Sequence, residues 1–144
     1  MASINFHSQE IPSPNINLSL IKSWLQEIAQ IDKVSIKRLN YIFCSDDYLL
    51  EINRTHLQHD YYTDIITFDL SETEAIESDI YISLDRVKDN ANQFNTESKL
   101  ELLRVIAHGL LHLIGYNDKT EEEQIIMRNK EDACLTLWLN KNKE

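Results

Sequence analysis

The stretch from Glu97 to Ile114 is apolar almost all the way round a helix, and this limits the folds open to the chain. Leu100, Leu102, Leu103, Val105, Ile106, Ala107, Leu110, Leu111, Leu113 and Ile114 leave no wide polar face. A helix of that kind is buried by other elements on nearly every side. Beyond the first turn its polar residues are Glu101, Arg104, His108 and His112, and Glu97 lies in line with them. At about 100° per residue they share a stripe about 80° wide. The two glycines of the chain, Gly109 and Gly115, fall in the same stretch, His108-Gly109-Leu110-Leu111-His112-Leu113-Ile114-Gly115-Tyr116-Asn117-Asp118. Gly115 fits the position where a helix ends in a left-handed residue. Gly109, inside the helix, costs about 1 kcal/mol relative to alanine, so close packing or a ligand must compensate.

The rest of the chain supplies the elements that would bury this helix. Residues 3–8 read as a short strand, and Ile11-Pro12-Ser13-Pro14-Asn15 breaks structure after it. Leu18, Ile21, Leu25 and Ile28 lie at helical spacing and predict a helix over 18–31. A strand over 35–44 follows. Ser45-Asp46-Asp47 then starts a helix running to His56. Residues 56–64 read as a polar loop and 64–70 as a strand. Residues 71–77 read as an acidic turn. Ile80, Ile82 and Leu84 alternate with Asp79, Tyr81 and Ser83, the mark of a half-buried strand over 79–84. A helix over 84–94 precedes the apolar helix. The spacing of Thr120 and Glu123 opens a last helix over 120–140 as a capping box. The expectation is one α+β domain over residues 1–144, a mixed sheet of about four strands packed with about five helices.

Composition narrows the function classes. The net charge is −10, which argues against broad non-specific binding of nucleic acid and leaves a local groove open. No apolar run approaches the roughly 20 residues of a membrane span, and Met1 to Glu10 lack a signal pattern. A cytoplasmic protein is expected. Cys44 and Cys134, far apart among apolar neighbours, read as buried thiols.

His108 and His112, at i and i+4, project from one face and can reach one metal ion. After the reversal at Gly115, Asp118 comes within reach as a third donor. Zinc with three protein ligands keeps a fourth position for water or substrate, which marks a catalytic site. The residue after His108 is Gly109, where the helix of His-Glu-x-x-His metalloproteases carries its general base. Blander readings stay open. The two histidines could be solvated, Asp118 an ordinary turn residue, Glu101 and Arg104 a surface pair. His56 and His59 could be solvated or join a cleft. Asp64 and Asp79 read as turn or cap residues.

The string His-Gly-x-Leu-His-Leu-x-Gly-Tyr closely resembles the signature of the YbeY family of metal-dependent endoribonucleases. Thr63-Asp64-Ile65-Ile66-Thr67-Phe68 resembles the Thr-Asp-Val-Leu-Ser-Phe strand of that family, and Asp79-Ile80-Tyr81-Ile82-Ser83 its next strand. Asn53, Asp60 and Met127 also match. The resemblance implies a zincin-like metal helix and one zinc ion, or another divalent metal, held by His108, His112 and Asp118. It implies a single-strand-specific endoribonuclease that matures the 3′ end of small-subunit ribosomal RNA and serves ribosome quality control. Ribosomal RNA, the small ribosomal subunit and a ribosome-associated GTPase or ribosomal proteins are the implied partners; no membrane is. Beyond metal-bound water, no catalytic residue is assigned.

Three positions depart from the family pattern. Tyr116-Asn117-Asp118 stands where the family reads Tyr-Asp-His, so the third donor is a carboxylate, the site charge falls by one unit and harder metals compete better. His56 and Leu57 occupy the places of a Tyr and a phosphate-binding Arg, a role for which Arg54 or Arg104 would have to substitute. Ser78 replaces a glycine. The alternatives are a non-catalytic ribosome assembly factor with a structural metal, or a zincin-like metalloprotease.

Overall fold

The computed structural model describes residues 2–141. The chain runs β1 (Ser3–Gln9), α1 (Leu18–Ile31), β2 (Ile36–Cys44), α2 (Asp46–Leu57), β3 (Ile65–Asp69), β4 (Ile76–Ser83), α3 (Leu84–Gln93), α4 (Ser98–Ile114) and α5 (Glu121–Lys141). The strands form a four-stranded mixed sheet in the order β1-β2-β4-β3. β1 with β2 and β2 with β4 pair in parallel, while β3 runs antiparallel to β4. The α+β reading of the sequence holds.

The main core lies between the sheet and α1, α4 and α5. α1 turns Ile21, Trp24, Leu25, Ile28 and Ala29 inward. Its first turn is closed by Asn17, whose side chain accepts from the Leu20 amide at 3.1 Å. Trp24 donates to the Cys134 carbonyl at 2.9 Å and meets Trp138 edge-on, tying α1 to α5. α4 lies where its apolar surface requires, with Leu103, Ile106, Ala107, Leu110 and Leu111 fully buried. Tyr41 of β2 donates to the Ile106 carbonyl at 3.0 Å. A Cβ on Gly109 would stand 3.1 Å from Ile65 Cδ1 and 3.3 Å from Ile80 Cγ2, so close packing against β3 and β4 accounts for this glycine. On the other side, α2 covers a smaller cluster of Cys44, Leu49 and Ile66. Both cysteines are free and buried. Burial pushes their thiols up, to about 12 at Cys44 and about 11 at Cys134.

Two boundaries differ from the sequence reading. β4 begins at Ile76, inside the segment read as a turn, because the Ile76 amide donates to Ser35 O at 2.8 Å beside β2. It ends at Ser83, whose hydroxyl caps α3 by accepting from the Arg86 amide at 3.0 Å. Leu84 therefore belongs to the helix. α2 continues through His56 to Leu57 and stops at Gln58, which takes a left-handed backbone with φ of 57°. The capping box of α5 is present in both directions, Thr120 N to Glu123 Oε1 at 3.0 Å and Glu123 N to Thr120 Oγ1 at 3.1 Å. Ser78 is buried and donates to the Phe68 carbonyl at 2.6 Å, pinning β3 to β4. No helix among the described residues is long and apolar enough to cross a membrane.

Candidate active site

α4 ends at Gly115, whose φ of 131° turns the chain back along the helix. The Tyr116 amide then donates to Leu111 O at 3.1 Å, and His112 Nδ1 donates to Tyr116 O at 3.0 Å. The reversal brings Asp118 Oδ2 to 3.4 Å from His108 Nε2. The imidazoles of His108 and His112 lie nearly parallel, 13° between planes and 6.1 Å between centroids. His108, His112 and Asp118 line one cleft of about 350 Å³. Its far wall is the 58–67 segment, including His59, Tyr61 and Asp64. Asn53, at the buried side of α2, holds that wall: its Nδ2 donates to Tyr61 O at 2.9 Å and its carbonyl accepts from His59 N.

Each imidazole has its Nδ1 occupied by a protein acceptor. That of His112 is the Tyr116 carbonyl. That of His108 is Glu131 of α5, whose Oε2 lies 2.6 Å away. Glu131 also accepts from Arg104 Nη1 at 2.9 Å, and Arg104 Nη2 donates to Asp132 at 2.7 Å. Such partners fix ring orientation and leave Nε2 as the free donor atom. Burial works against a charged His108, yet the hydrogen bond to Glu131 and the nearby carboxylates of Glu131, Asp118 and Asp64 outweigh it and raise its pKa. Burial likewise works against the Glu131 carboxylate, but His108 and Arg104 hold it below the ordinary range.

The donor types suit a divalent cation: two imidazole nitrogens with their second nitrogens engaged, and one carboxylate. As the side chains stand, no group of three or more His, Cys, Asp or Glu among the described residues is disposed to hold a metal ion. The structure brings the three sequence-derived ligands to one cleft without closing them around a single point.

The two arginines considered for phosphate contact are both engaged elsewhere. Arg54 pairs with Asp60 at 2.5 Å and Glu51 at 3.8 Å on the exposed end of α2, and is not among the residues lining the cleft. Arg104 does not pair with Glu101 across α4; its guanidinium reaches over to α5 because Glu131 and Asp132 stand there. Glu101 itself is buried. His56 stacks edge-on against Phe68, while His59 joins the cleft. Two residues of the site were given no role in it from the sequence. Asp64, read as a turn or cap residue, lines the cleft, and burial raises its carboxyl pKa. Glu131 carries a legible signal: Met127, Glu131, Cys134 and Trp138 form the buried seam of α5, and an acid at an apolar seam position needs a buried partner.

A mixed four-stranded sheet with a histidine-bearing helix buried against it has a counterpart among solved structures. The solution structure of a protein from Thermotoga maritima matches with a TM-score of 0.67 at 27% identity, covering 96% of this chain and 90% of that one. The family described as endoribonuclease YbeY matches residues 3–138. An endoribonuclease YbeY of Cytophaga hutchinsonii is 63% identical over 118 residues, 81% of this chain and 82% of that protein. One from Phocaeicola vulgatus is 46% identical over 134 residues, 93% of this chain and 97% of its own length. The chain belongs to the endoribonuclease YbeY family.

Proposed function

We propose that the protein is a metal-dependent endoribonuclease that cuts single-stranded RNA, acting in the cytoplasm on the 3′ end of small-subunit ribosomal RNA and in ribosome quality control. The observation that carries this reading is the return of Asp118 to 3.4 Å from His108 Nε2, in the cleft that His112 also lines. His108, His112 and Asp118 would hold the ion, zinc in the first instance. A bound divalent ion supplies Lewis-acid polarisation of a phosphodiester oxygen. Glu131 and the Tyr116 carbonyl orient the two imidazoles, and the 58–67 segment walls the cleft opposite them.

Elemental analysis of wild type beside His112→Ala and Asp118→Ala, with cleavage of single-stranded RNA by the same preparations in zinc, manganese or nickel, tests the reading. Metal near one ion per chain in wild type, lost with cleavage in both variants, is the expected result. Unchanged metal content in both variants defeats it. The product ends separate two routes: a 5′-phosphate marks attack by water, a cyclic phosphate attack by the ribose 2′-hydroxyl.

A second reading is a ribosome assembly factor that does not cut RNA. It is favoured by the engagement of Arg54 and Arg104 with carboxylates and by the net charge of −10. Purified protein that sediments with small ribosomal subunits yet leaves RNA whole in all three metals would establish it.

A further inference from the structure

On the other side of His108 lies a second cleft of about 270 Å³, which shares Asp64, Ile65, His108 and Asp118 with the first. Its lining adds Phe94, Glu101, Arg104, Val105, Arg128 and Glu131. Glu101 is only 8% exposed, and among the described residues its carboxylate makes no hydrogen bond or ion pair. Its oxygens are not sealed in the core but open to the cleft, where water or a ligand supplies the donor that the protein does not. Burial still raises the pKa of its carboxyl. Asp64 has one distant side-chain donor, Asn90 Nδ2 at 3.5 Å. Phe94, the residue that ends α3, leaves 63% of its surface in solvent at this cleft.

These features define the missing ligand by its chemistry. Four carboxylates, Asp64, Glu101, Asp118 and Glu131, outnumber Arg104 and Arg128 in the lining, and Arg104 is already held by Glu131 and Asp132, so the wall disfavours phosphate and calls for N–H donors. An exposed aromatic ring calls for a flat partner, since base–aromatic stacking is indifferent to which base is present. A cation fits less well, because no three carboxylates or imidazoles among the described residues converge there and Ile65 and Val105 occupy part of the lining. We propose that this cleft is a nucleobase subsite for the nucleotide beside the cleaved phosphodiester, stacking the base on Phe94 and selecting bases that carry an exocyclic amino group. The amino group of adenine, cytosine or guanine donates to Glu101, as carboxylates accept from cytosine N4 in other nucleic-acid sites. Uracil presents the O4 acceptor where cytosine carries its amino group and keeps only N3–H, flanked by two carbonyls, as a donor, so it is bound more weakly. Arg128, exposed on α5, stands at the lining where the flanking backbone would pass. The inference rests on the RNA reading given above.

The test uses the full chain and short 2′-O-methylated single strands of oligo-A, oligo-C and oligo-U, whose affinities are read by fluorescence anisotropy. Wild type should bind oligo-A and oligo-C about tenfold more tightly than oligo-U. Phe94→Ala should lose about tenfold on all three. Glu101→Gln, whose amide both accepts and donates, should bring oligo-U close to oligo-C. Equal affinities in wild type, or unchanged affinities in both variants, overturn the subsite. Manganese that binds wild type but not Glu101→Gln, with base preference unaltered, overturns it in favour of a cation. Should Glu101→Gln fail to fold, Phe94→Ala, at an exposed ring, still decides. Cleavage of unmodified RNA is scored in parallel. Cutting without base preference defeats the subsite alone, base preference without cutting defeats the nuclease reading alone, and no RNA binding defeats both.

Discussion

His108 and Glu131, twenty-three residues apart on two helices, meet at 2.6 Å, and the same carboxylate accepts from Arg104 at 2.9 Å. Glu131 therefore joins the imidazole of the cleft to the α4–α5 contact. Glu131→Ala leaves the His108 Nδ1 hydrogen without an acceptor and Arg104 with Asp132 alone. The expected loss is about 2–4 kcal/mol of unfolding free energy, the range for breaking a buried charged pair. Metal affinity should fall about 10- to 100-fold, as when other partners of ligating histidines are removed. Glu131→Gln, which keeps an acceptor for one of the two donors, should lose less of both. Urea denaturation and metal titration read the two effects; an unchanged urea midpoint in Glu131→Ala would show that the pair carries no net stability.

The same pair has a signed pH dependence. His108 is raised, so its contribution is complete below the ordinary histidine value of 6.5 and is lost as pH climbs through its folded-state value. Glu131 is lowered, so its contribution is complete above the ordinary 4.5 and is lost as pH falls through its folded-state value. The stability difference between wild type and Glu131→Gln in metal-free buffer should be largest between pH 4.5 and 6.5 and shrink on both sides. A difference that grows steadily with pH contradicts the arrangement.

The periodicity of residues 97–114 exposed the central helix and the polar seam, because burial on nearly every side leaves a dense pattern. The capping box at Thr120 and Glu123 was equally legible, being a local interaction of two residues. Ile76 was missed because its strand character comes from pairing beside β2, which a turn-like local composition conceals. The partner of Arg104 was misplaced for a similar reason. Glu101 is the neighbour along the helix, but the carboxylates that bind the guanidinium belong to α5. Asp64 and Glu131 became site residues only once β3 and α5 were brought against His108. Contacts made across sequence distance leave no period to read.

The two glycines should respond to alanine for different reasons. At Gly115 nothing lies within 4 Å of an added Cβ, yet φ of 131° strains any L side chain. About 1–3 kcal/mol of destabilisation is expected from the backbone alone, together with weaker metal binding, since the turn carries Asp118. At Gly109 the added Cβ meets Ile65 and Ile80 at 3.1–3.4 Å. The helix gains about 1 kcal/mol in propensity, set against about 1–3 kcal/mol for overpacking. A net loss of about 1 kcal/mol follows, measurable by thermal or urea unfolding. A Gly109→Ala protein more stable than wild type would show that the two isoleucines give way freely.

Asp118 is the proposed third donor, and replacing it with histidine gives the sharpest test of the ligand set. The Asp118 side chain is 41% exposed, so an imidazole can be accommodated there with little repacking. Asp118→His removes a carboxylate that helps raise the His108 pKa, so protons should compete less with metal at His108. It also exchanges a hard oxygen donor for a nitrogen that favours zinc over magnesium or manganese. Zinc affinity should rise by about tenfold, ~1.4 kcal/mol, and the ratio of zinc to manganese affinity should rise with it. Competition with a chromophoric chelator measures both. If Asp118→His binds zinc no better than wild type while Asp118→Ala also binds it undiminished, the third donor stands elsewhere, and Asp64, which lines both clefts, becomes the next residue to replace.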